Sequence, residues 1–267
     1  MPKFILTCAL ALLTFAPLTQ AKDTAKIAIA GDSTARDYTN MSSSYSALRG
    51  WGQYLADYMT DITVLNHGKG GCSSKSFINE NRWKKLLADS PDYVLIQFGH
   101  NDIPNKGPER ETLTDAVPET LQAEGLGSDP MDWIRNNIRT YITQARDAGV
   151  VPIIVTPMER RSFKSNGKSV RLKNKAWADA AKAVAEELDA PVIDMNAYSI
   201  NLLNGFGFEG CLFMHPMRNG KLDNTHYNEL GARIYAEFIV KELGKVAPEL
   251  APRVNLPEVR TADQPAE

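Results

Sequence analysis

Four short segments of this sequence carry side chains suited to acyl transfer. They are Ser33 in "AGDSTARDY", the glycines Gly68, Gly70 and Gly71 in "NHGKGG", Asn101 in "FGHND", and the pair Asp223 and His226 in "DNTH". A serine hydroxyl is a weak nucleophile near neutral pH and needs a base to take its proton, a task for which imidazole is suited. An aspartate beside that imidazole selects its tautomer and stabilises the imidazolium as it forms. The oxyanion of a tetrahedral intermediate needs donors already aimed at it, which backbone N–H groups at a glycine turn and a carboxamide supply. Each residue also has an ordinary role: Ser33 suits a helix N-cap, Asn101 a turn, the glycines a tight bend, and Asp223 with His226 a surface ion pair. The elements that position them decide between the two sets of roles.

Five short apolar runs, "KIAIA" (26–30), "ITVLN" (62–66), "DYVLIQF" (92–98), "VVPIIVT" (150–156) and "APVIDM" (190–195), alternate with helical patterns at about 50–60, 79–89, 130–148, 170–189 and 228–243. The third and fourth runs lack strict alternation, as strands buried on both faces do. Such an alternation predicts an α/β fold: three layers, α/β/α, around a doubly wound, mostly parallel sheet of five strands. In such sheets ligands bind beyond the carboxyl ends of the strands. The serine follows the first run, the glycines the second and Asn101 the third, while the Asp/His pair precedes the last helix. All would therefore meet at one edge. The 103–130 stretch shows no convincing element and is expected to be a functional or mobile loop. The irregular stretch 201–222 carries bulky apolar residues and is expected to fold against the body.

With 267 residues, 43% hydrophobic and 23% charged, and a net charge of −2, the chain is globular and lacks the basic excess of a nucleic-acid binder. Residues 1–21 place Lys3 before an apolar run that ends in small residues, the pattern of a cleaved secretory signal, and the run is too short to anchor the chain in a membrane. The reading is a signal peptide (1–21), a catalytic domain (22–245) and a Pro-rich, acidic tail (246–267) that trails freely, in a secreted or periplasmic protein. Cys8 leaves with the signal, and the remaining Cys72 and Cys211 are expected to form a disulfide in an oxidising compartment. The sequence carries no signal for an oligomeric state.

Taken together, the "GDS", glycine-turn, "GHND" and "DNTH" blocks resemble, in order and character, those of the SGNH (GDSL-type) hydrolases, over about Lys26 to Gly244. The resemblance implies a flavodoxin-like sheet and no cofactor. It assigns Ser33 as nucleophile and Asp223 and His226 as its partners, with an oxyanion hole of Ser33 N–H, Gly71 N–H (Gly70 the alternative) and the Asn101 amide. Thr34 stands where the family commonly has leucine, and Tyr227 and Asn228 also depart from the usual residues after the histidine. Within the family, "AGDSTARDY", "FGHND", "KGPERET", "VTPMERRSF" and "DNTHYNELGA" look most like the rhamnogalacturonan acetylesterase group, which implies an acetylated pectic polysaccharide as substrate.

Other chemistries fit less well. "GKGGCSSKS" lacks the spacing of a phosphate loop, the four histidines show no metal-ligand spacing, and no G-x-S-x-G elbow occurs. Arg110 and, after the fourth strand, Arg160, Arg161 and Phe163 lie on the carboxyl-end side. Arg160 and Arg161 are expected to meet galacturonate carboxylates, which guanidinium binds in a two-pronged way. The rival readings are a lipase or thioesterase whose acyl groove is lined by "GFGFEGCLFM", an acetylxylan esterase on the same site, and a silent polysaccharide-binding module.

Overall fold

The computed structural model describes residues 24–42, 45–103 and 131–257. Five parallel strands form one sheet in the order β2-β1-β3-β4-β5: β1 (Ala25–Gly31), β2 (Ile62–Asn66), β3 (Tyr93–Gln97), β4 (Val151–Val155) and β5 (Val192–Ile193). The order reverses between β1 and β3, the switch point at which doubly wound folds open a crevice. Register pairs Ile29 of β1 with Asn66 on one side and Leu95 on the other, so the ends of these three strands lie together.

Alternation along the strands builds two cores. Ile27, Ile29, Leu95, Ile153, Val155 and Ile193 face one layer, where α6 (Glu229–Val246) adds Tyr235, Ile239 and Leu243. Ala28, Ala30, Val94, Ile96 and Ile154 face the other, covered by α3 (Asp132–Asp147) and α4 (Lys175–Glu187). On α3 the buried Ile134, Ile138, Tyr141, Ile142 and Ala145 recur every three or four residues, one stripe of a helix. Burying one such isoleucine stabilises the fold by about 1.5–3 kcal/mol, so the site rests on a stiff platform.

Several expectations need correction. The segment 50–60 forms two 3-10 turns, Trp51–Gln53 and Leu55–Tyr58, in place of one helix. It is wedged beneath the Ser33 loop so tightly that a Cβ at Gly52 would lie 2.5 Å from the Ala35 carbonyl oxygen and 2.6 Å from Asn66 Nδ2. The helix expected at 79–89 is two helices, α1 (Ser74–Asn79) and α2 (Arg82–Ala88), separated where Asn81 adopts φ 57°. The stretch 201–222 is more regular than expected, holding most of α5 (Met195–Gly210), which breaks at Gly207, and a hairpin of β6 (Met217–Arg218) and β7 (Lys221–Leu222).

Up to residue 257 the tail does not trail: Pro248–Arg253 forms a 3-10 helix, Leu250 is buried, and Thr60 and Asn255 tie the segment to the body through backbone hydrogen bonds. Cys72 and Cys211 are unbonded. They are buried in clusters on opposite faces of the sheet, so the expected disulfide does not form. The expected signal segment, the 104–130 part of the loop, and residues 258–267 lie outside the described residues. No helix among the described residues is long and apolar enough to cross a membrane.

Candidate active site

After β1 the chain turns at Asp32–Ala35, and no helix follows Ser33 through residue 42. Ser33 therefore caps nothing. The turn is fixed by Asp32, whose Oδ1 accepts the Thr34 N–H at 2.8 Å and the Thr34 hydroxyl at 2.7 Å. Gln97 of β3 donates to Thr34 Oγ1 and accepts from Trp51 Nε1 at 2.7 Å. Thr34 is thus a buried polar link between the loops after β1 and β3, which explains a hydroxyl residue at this position. Behind the turn, Asp32 Oδ2 faces His100 Nδ1 at 3.1 Å. Burial pushes the Asp32 carboxyl up, but the facing imidazole and the two Thr34 hydrogen bonds outweigh it and hold the group below its usual range.

Ser33 Oγ lies 2.9 Å from His226 Nε2, and His226 Nδ1 lies 2.8 Å from Asp223 Oδ2. A carboxylate can only accept, so Nδ1 carries the ring proton and Nε2 is left to accept the serine's. Asp223 is held in turn. Its Oδ1 accepts the Thr225 and His226 N–H groups, each at 2.9 Å, Arg218 Nη1 donates to Oδ2 at 3.1 Å, and its own N–H donates to the Pro216 carbonyl before the β6–β7 hairpin. Burial opposes its ionisation, yet the hydrogen bond and charge of His226, with those two backbone donors, hold the carboxyl well below the usual range.

Behind His226, buried His215 donates Nδ1–H to the His226 carbonyl at 2.9 Å and packs 5.0 Å from the Tyr227 ring. Desolvation pushes His215 down to about 4, which keeps it neutral. Asn228 caps α6 by accepting the Gly231 N–H at 3.0 Å, and Tyr227, fully buried, contacts the Tyr235 hydroxyl at 3.2 Å. The two departures after the histidine therefore anchor the loop from below.

Across the cleft, Gly70, Gly71 and Asn101 line the same pocket as Ser33 and His226. Gly71 has φ 79°, a conformation that favours glycine. Asn101 Nδ2 donates to the Cys72 carbonyl at 2.9 Å, and Ser74 donates its N–H to Asp102 Oδ1 at 3.0 Å, so the loops after β2 and β3 are stitched together. Burial pushes Asp102 up to about 7 against the Ser74 hydrogen bonds that oppose it. No described group accepts the Ser33, Gly70 or Gly71 N–H, so these donors are open to a ligand.

The cleft has a volume of about 500 Å³. Arg160 lines it, donating to Thr225 Oγ1 and to the His100 carbonyl. Arg161, expected beside it, is turned inward. It is buried, donates to Asn224 Oδ1 at 2.9 Å and to the Phe208 carbonyl, and lies 4.1 Å over the Phe208 ring, so it does not reach substrate. The chain bends at Arg161, where the Ser162 N–H donates to the Arg160 carbonyl at 2.6 Å, and of the two arginines only Arg160 lines the cleft. Phe163 packs on Phe208 at 5.8 Å, away from the cleft, and Arg110 lies outside the described residues. Phe206, Phe208 and Phe213 of the supposed acyl groove do not line the cleft either. Sequence reasoning passed over Arg36, Tyr38, Tyr45 and Arg218, which do. Two of them lie within five residues of Ser33, close enough for the turn alone to have implicated them.

A five-stranded parallel sheet of this order, with a serine, histidine and aspartate joined across its carboxyl edge, defines the SGNH class of hydrolases. The chain belongs to the GDSL-like lipase/acylhydrolase family, whose model matches residues 29–234, and it is a carboxylic ester hydrolase. The rhamnogalacturonan acetylesterase RhgT of Bacillus subtilis (strain 168) is 32% identical over 234 residues, covering 82% of this chain and 90% of that protein. The crystal structure of the B. subtilis protein YxiM matches with a TM-score of 0.63 at 25% identity, over 83% of this chain and 56% of that one, so this chain spans little more than half of it. The acetylxylan esterase Axe2 of Geobacillus stearothermophilus, 19% identical, matches in fold with a TM-score of 0.56 over 82% of this chain and 94% of its own.

Proposed function

We propose that the chain is a secreted serine esterase that removes O-acetyl groups from plant cell-wall polysaccharide, rhamnogalacturonan above all. The observation that carries the reading is the hydrogen-bonded line from Ser33 Oγ through His226 to Asp223 at the wall of a polar cleft. Ser33 Oγ attacks the acetyl carbonyl carbon while His226 Nε2 takes its proton. The carbonyl oxygen becomes an oxyanion and rests on the Ser33 and Gly71 N–H groups and the Asn101 amide. As the intermediate collapses, His226 returns the proton to the departing sugar oxygen and the acetyl group stays on Ser33. A water molecule, deprotonated by the same imidazole, then attacks the acyl-enzyme and releases acetate. Asp223 orients the ring throughout and stabilises its cationic form.

Among the described residues lining the cleft most are polar or charged, which favours a sugar ester over a long acyl chain. The pectic substrate draws on the kinship with RhgT, and secretion on the leader pattern of residues 1–21. The test is acetate release by the purified enzyme from acetylated rhamnogalacturonan, xylan and homogalacturonan. Fastest release from the first supports the reading. Release from xylan alone would move the substrate and keep the mechanism, and p-nitrophenyl octanoate outrunning the acetate would turn the enzyme into a lipase.

A further inference from the structure

Three guanidinium groups border the cleft, and two are engaged. Arg218 donates to Asp223, and Arg160 to Thr225 and the His100 carbonyl. Arg36 is placed differently. Half-buried, it has Nη2 3.1 Å from the Met41 sulfur and its guanidinium carbon 5.5 Å from the centre of the Tyr38 ring, and no described carboxylate pairs with it. A thioether is a weak acceptor, so the fork keeps donors free for a ligand.

The chemistry is one ring-width away. The point that a Gly70 Cβ would occupy is 3.1 Å from Arg36 Nη1 and 4.0 Å from Ser33 Cβ. Glycine here is the floor between cation and serine, and a Cβ would crowd the guanidinium, which would have to give by a few tenths of an ångström. From Arg36 a wall continues along the cleft: Tyr38 stacks on Tyr45 with ring centres 6.4 Å apart and planes inclined by 25°, and Arg218 closes it 5.4 Å over Tyr45. The Tyr38 hydroxyl donates to the Ser33 carbonyl at 2.8 Å, which ties this wall to the serine turn. Among the described residues lining the cleft, the one carboxylate is Asp223, already held by His226 and Arg218, while Asp32 lies buried beneath against His100. Among the described residues the cleft lining is therefore cationic, and the charge without a carboxylate partner or a strong acceptor is Arg36.

We propose that Arg36 receives the carboxylate of a uronic sugar, and that Arg36, Tyr38 and Tyr45 form the subsite seating the ring whose ester lies at Ser33. The proposal rests on the reading of the chain as a polysaccharide acetylesterase and adds which unit of the polymer it selects. A planar guanidinium binds a carboxylate through two parallel N–H bonds, and the exposed Tyr45 ring offers the sugar an aromatic surface that the buried Tyr38 holds in place.

The test is competition against p-nitrophenyl acetate hydrolysis by galacturonate, by its methyl ester and by galactose, in wild type, Arg36→Gln and Arg36→Lys. In wild type, galacturonate inhibits about ten- to a hundredfold more strongly than galactose, with the methyl ester resembling galactose. Arg36→Gln abolishes that preference. Arg36→Lys, which keeps charge and much of the bulk should the neutral variant fold poorly, lowers it several-fold because the fork is gone. Equal inhibition by galacturonate and galactose in wild type, or an undiminished preference in either variant, overturns the proposal. Polymer deacetylation plays no part in this competition, so failure of the pectic reading and failure of the Arg36 subsite are read separately.

Discussion

The two sides of the cleft are built by different means. On the His226 side, every polar atom that matters is tied by short, directional bonds: Ser33 to His226, His226 to Asp223, and Asp223 to two backbone N–H groups and Arg218. On the Arg36 side, contacts are broad and soft, a guanidinium over one tyrosine, a tyrosine on another, and a thioether behind. Proton transfer demands fixed geometry and leaves few bonds open, whereas recognition demands a stiff surface whose hydrogen bonds are still unmade. The difference is the one expected if the His226 side breaks the bond and the Arg36 side, as proposed, chooses the substrate.

Variants on each side should break function in correspondingly different ways. Asp223→Asn disturbs the tautomer of His226 and is expected to lower kcat by about 10⁴, as loss of the orienting carboxylate does in serine hydrolases. Steady-state kinetics on p-nitrophenyl acetate read this directly, and a loss below tenfold would remove Asp223 from the line. Asn101→Ala withdraws one oxyanion donor and is expected to cost about 10²–10³ in kcat with little change in KM. A change in KM alone would instead make Asn101 a binding residue. Tyr45→Ala, on the other wall, should raise KM for the polysaccharide several-fold more than it lowers kcat, since it removes stacking area and no reacting group.

Arg160 and Arg161 sharpen the same contrast within two consecutive residues. Arg161→Ala strips a buried cation from Asn224 and the Phe208 carbonyl, and is expected to cost about 2–3 kcal/mol of stability, measured as a lowered urea midpoint. Arg160→Ala should cost less stability and more activity. The reverse ranking would contradict their assigned orientations.

The smallest expected effect is on pH. Burial holds His215 down at about 4 and Asp102 up at about 7, whereas the unfolded chain titrates these groups near 6.5 and 3.9. Between about pH 4 and 6.5, the unfolded state carries the extra histidine proton and the folded state the extra aspartic acid proton. Acidification through this window therefore destabilises through His215, and alkalinisation destabilises through Asp102. Each contributes up to about 1.4 kcal/mol per pH unit, with opposite sign. In urea titrations the wild-type midpoint should vary little across the window, that of His215→Asn should fall as pH rises, and that of Asp102→Asn should rise. Parallel slopes in the two variants would refute the pairing.

Much of the sheet, and the meeting of Ser33, Asn101, Asp223 and His226 at one cleft, was legible in the sequence. Five apolar runs mark the strands, and Ser33, the glycine turn and Asn101 each follow one, which is enough to gather them at one edge. The Arg36 side was not, because Arg36 and Tyr45 carry no motif and line the cleft only through a wall that exists once the serine turn has folded. Arg161 beside Arg160 shows a similar limit: an arginine's orientation depends on packing, here on Phe208, which is remote in sequence. Asn201, Asn204, Gly205 and Gly207 gave α5 no helical periodicity to detect. Pro and acid content suggested a free tail, yet Leu250 finds a slot in the core and pins it.

The most direct test of the account is whether Ser33 carries the acetyl group. Wild type and Ser33→Ala, matched for folding by thermal melting, would be acid-quenched during turnover of p-nitrophenyl acetate and mapped by peptide mass spectrometry. The account predicts an acetyl group on the peptide containing Ser33 in the wild type, absent from the variant, together with a loss of kcat of about 10⁶. Turnover by Ser33→Ala at near wild-type rate, or acetyl trapped on another side chain, would contradict it.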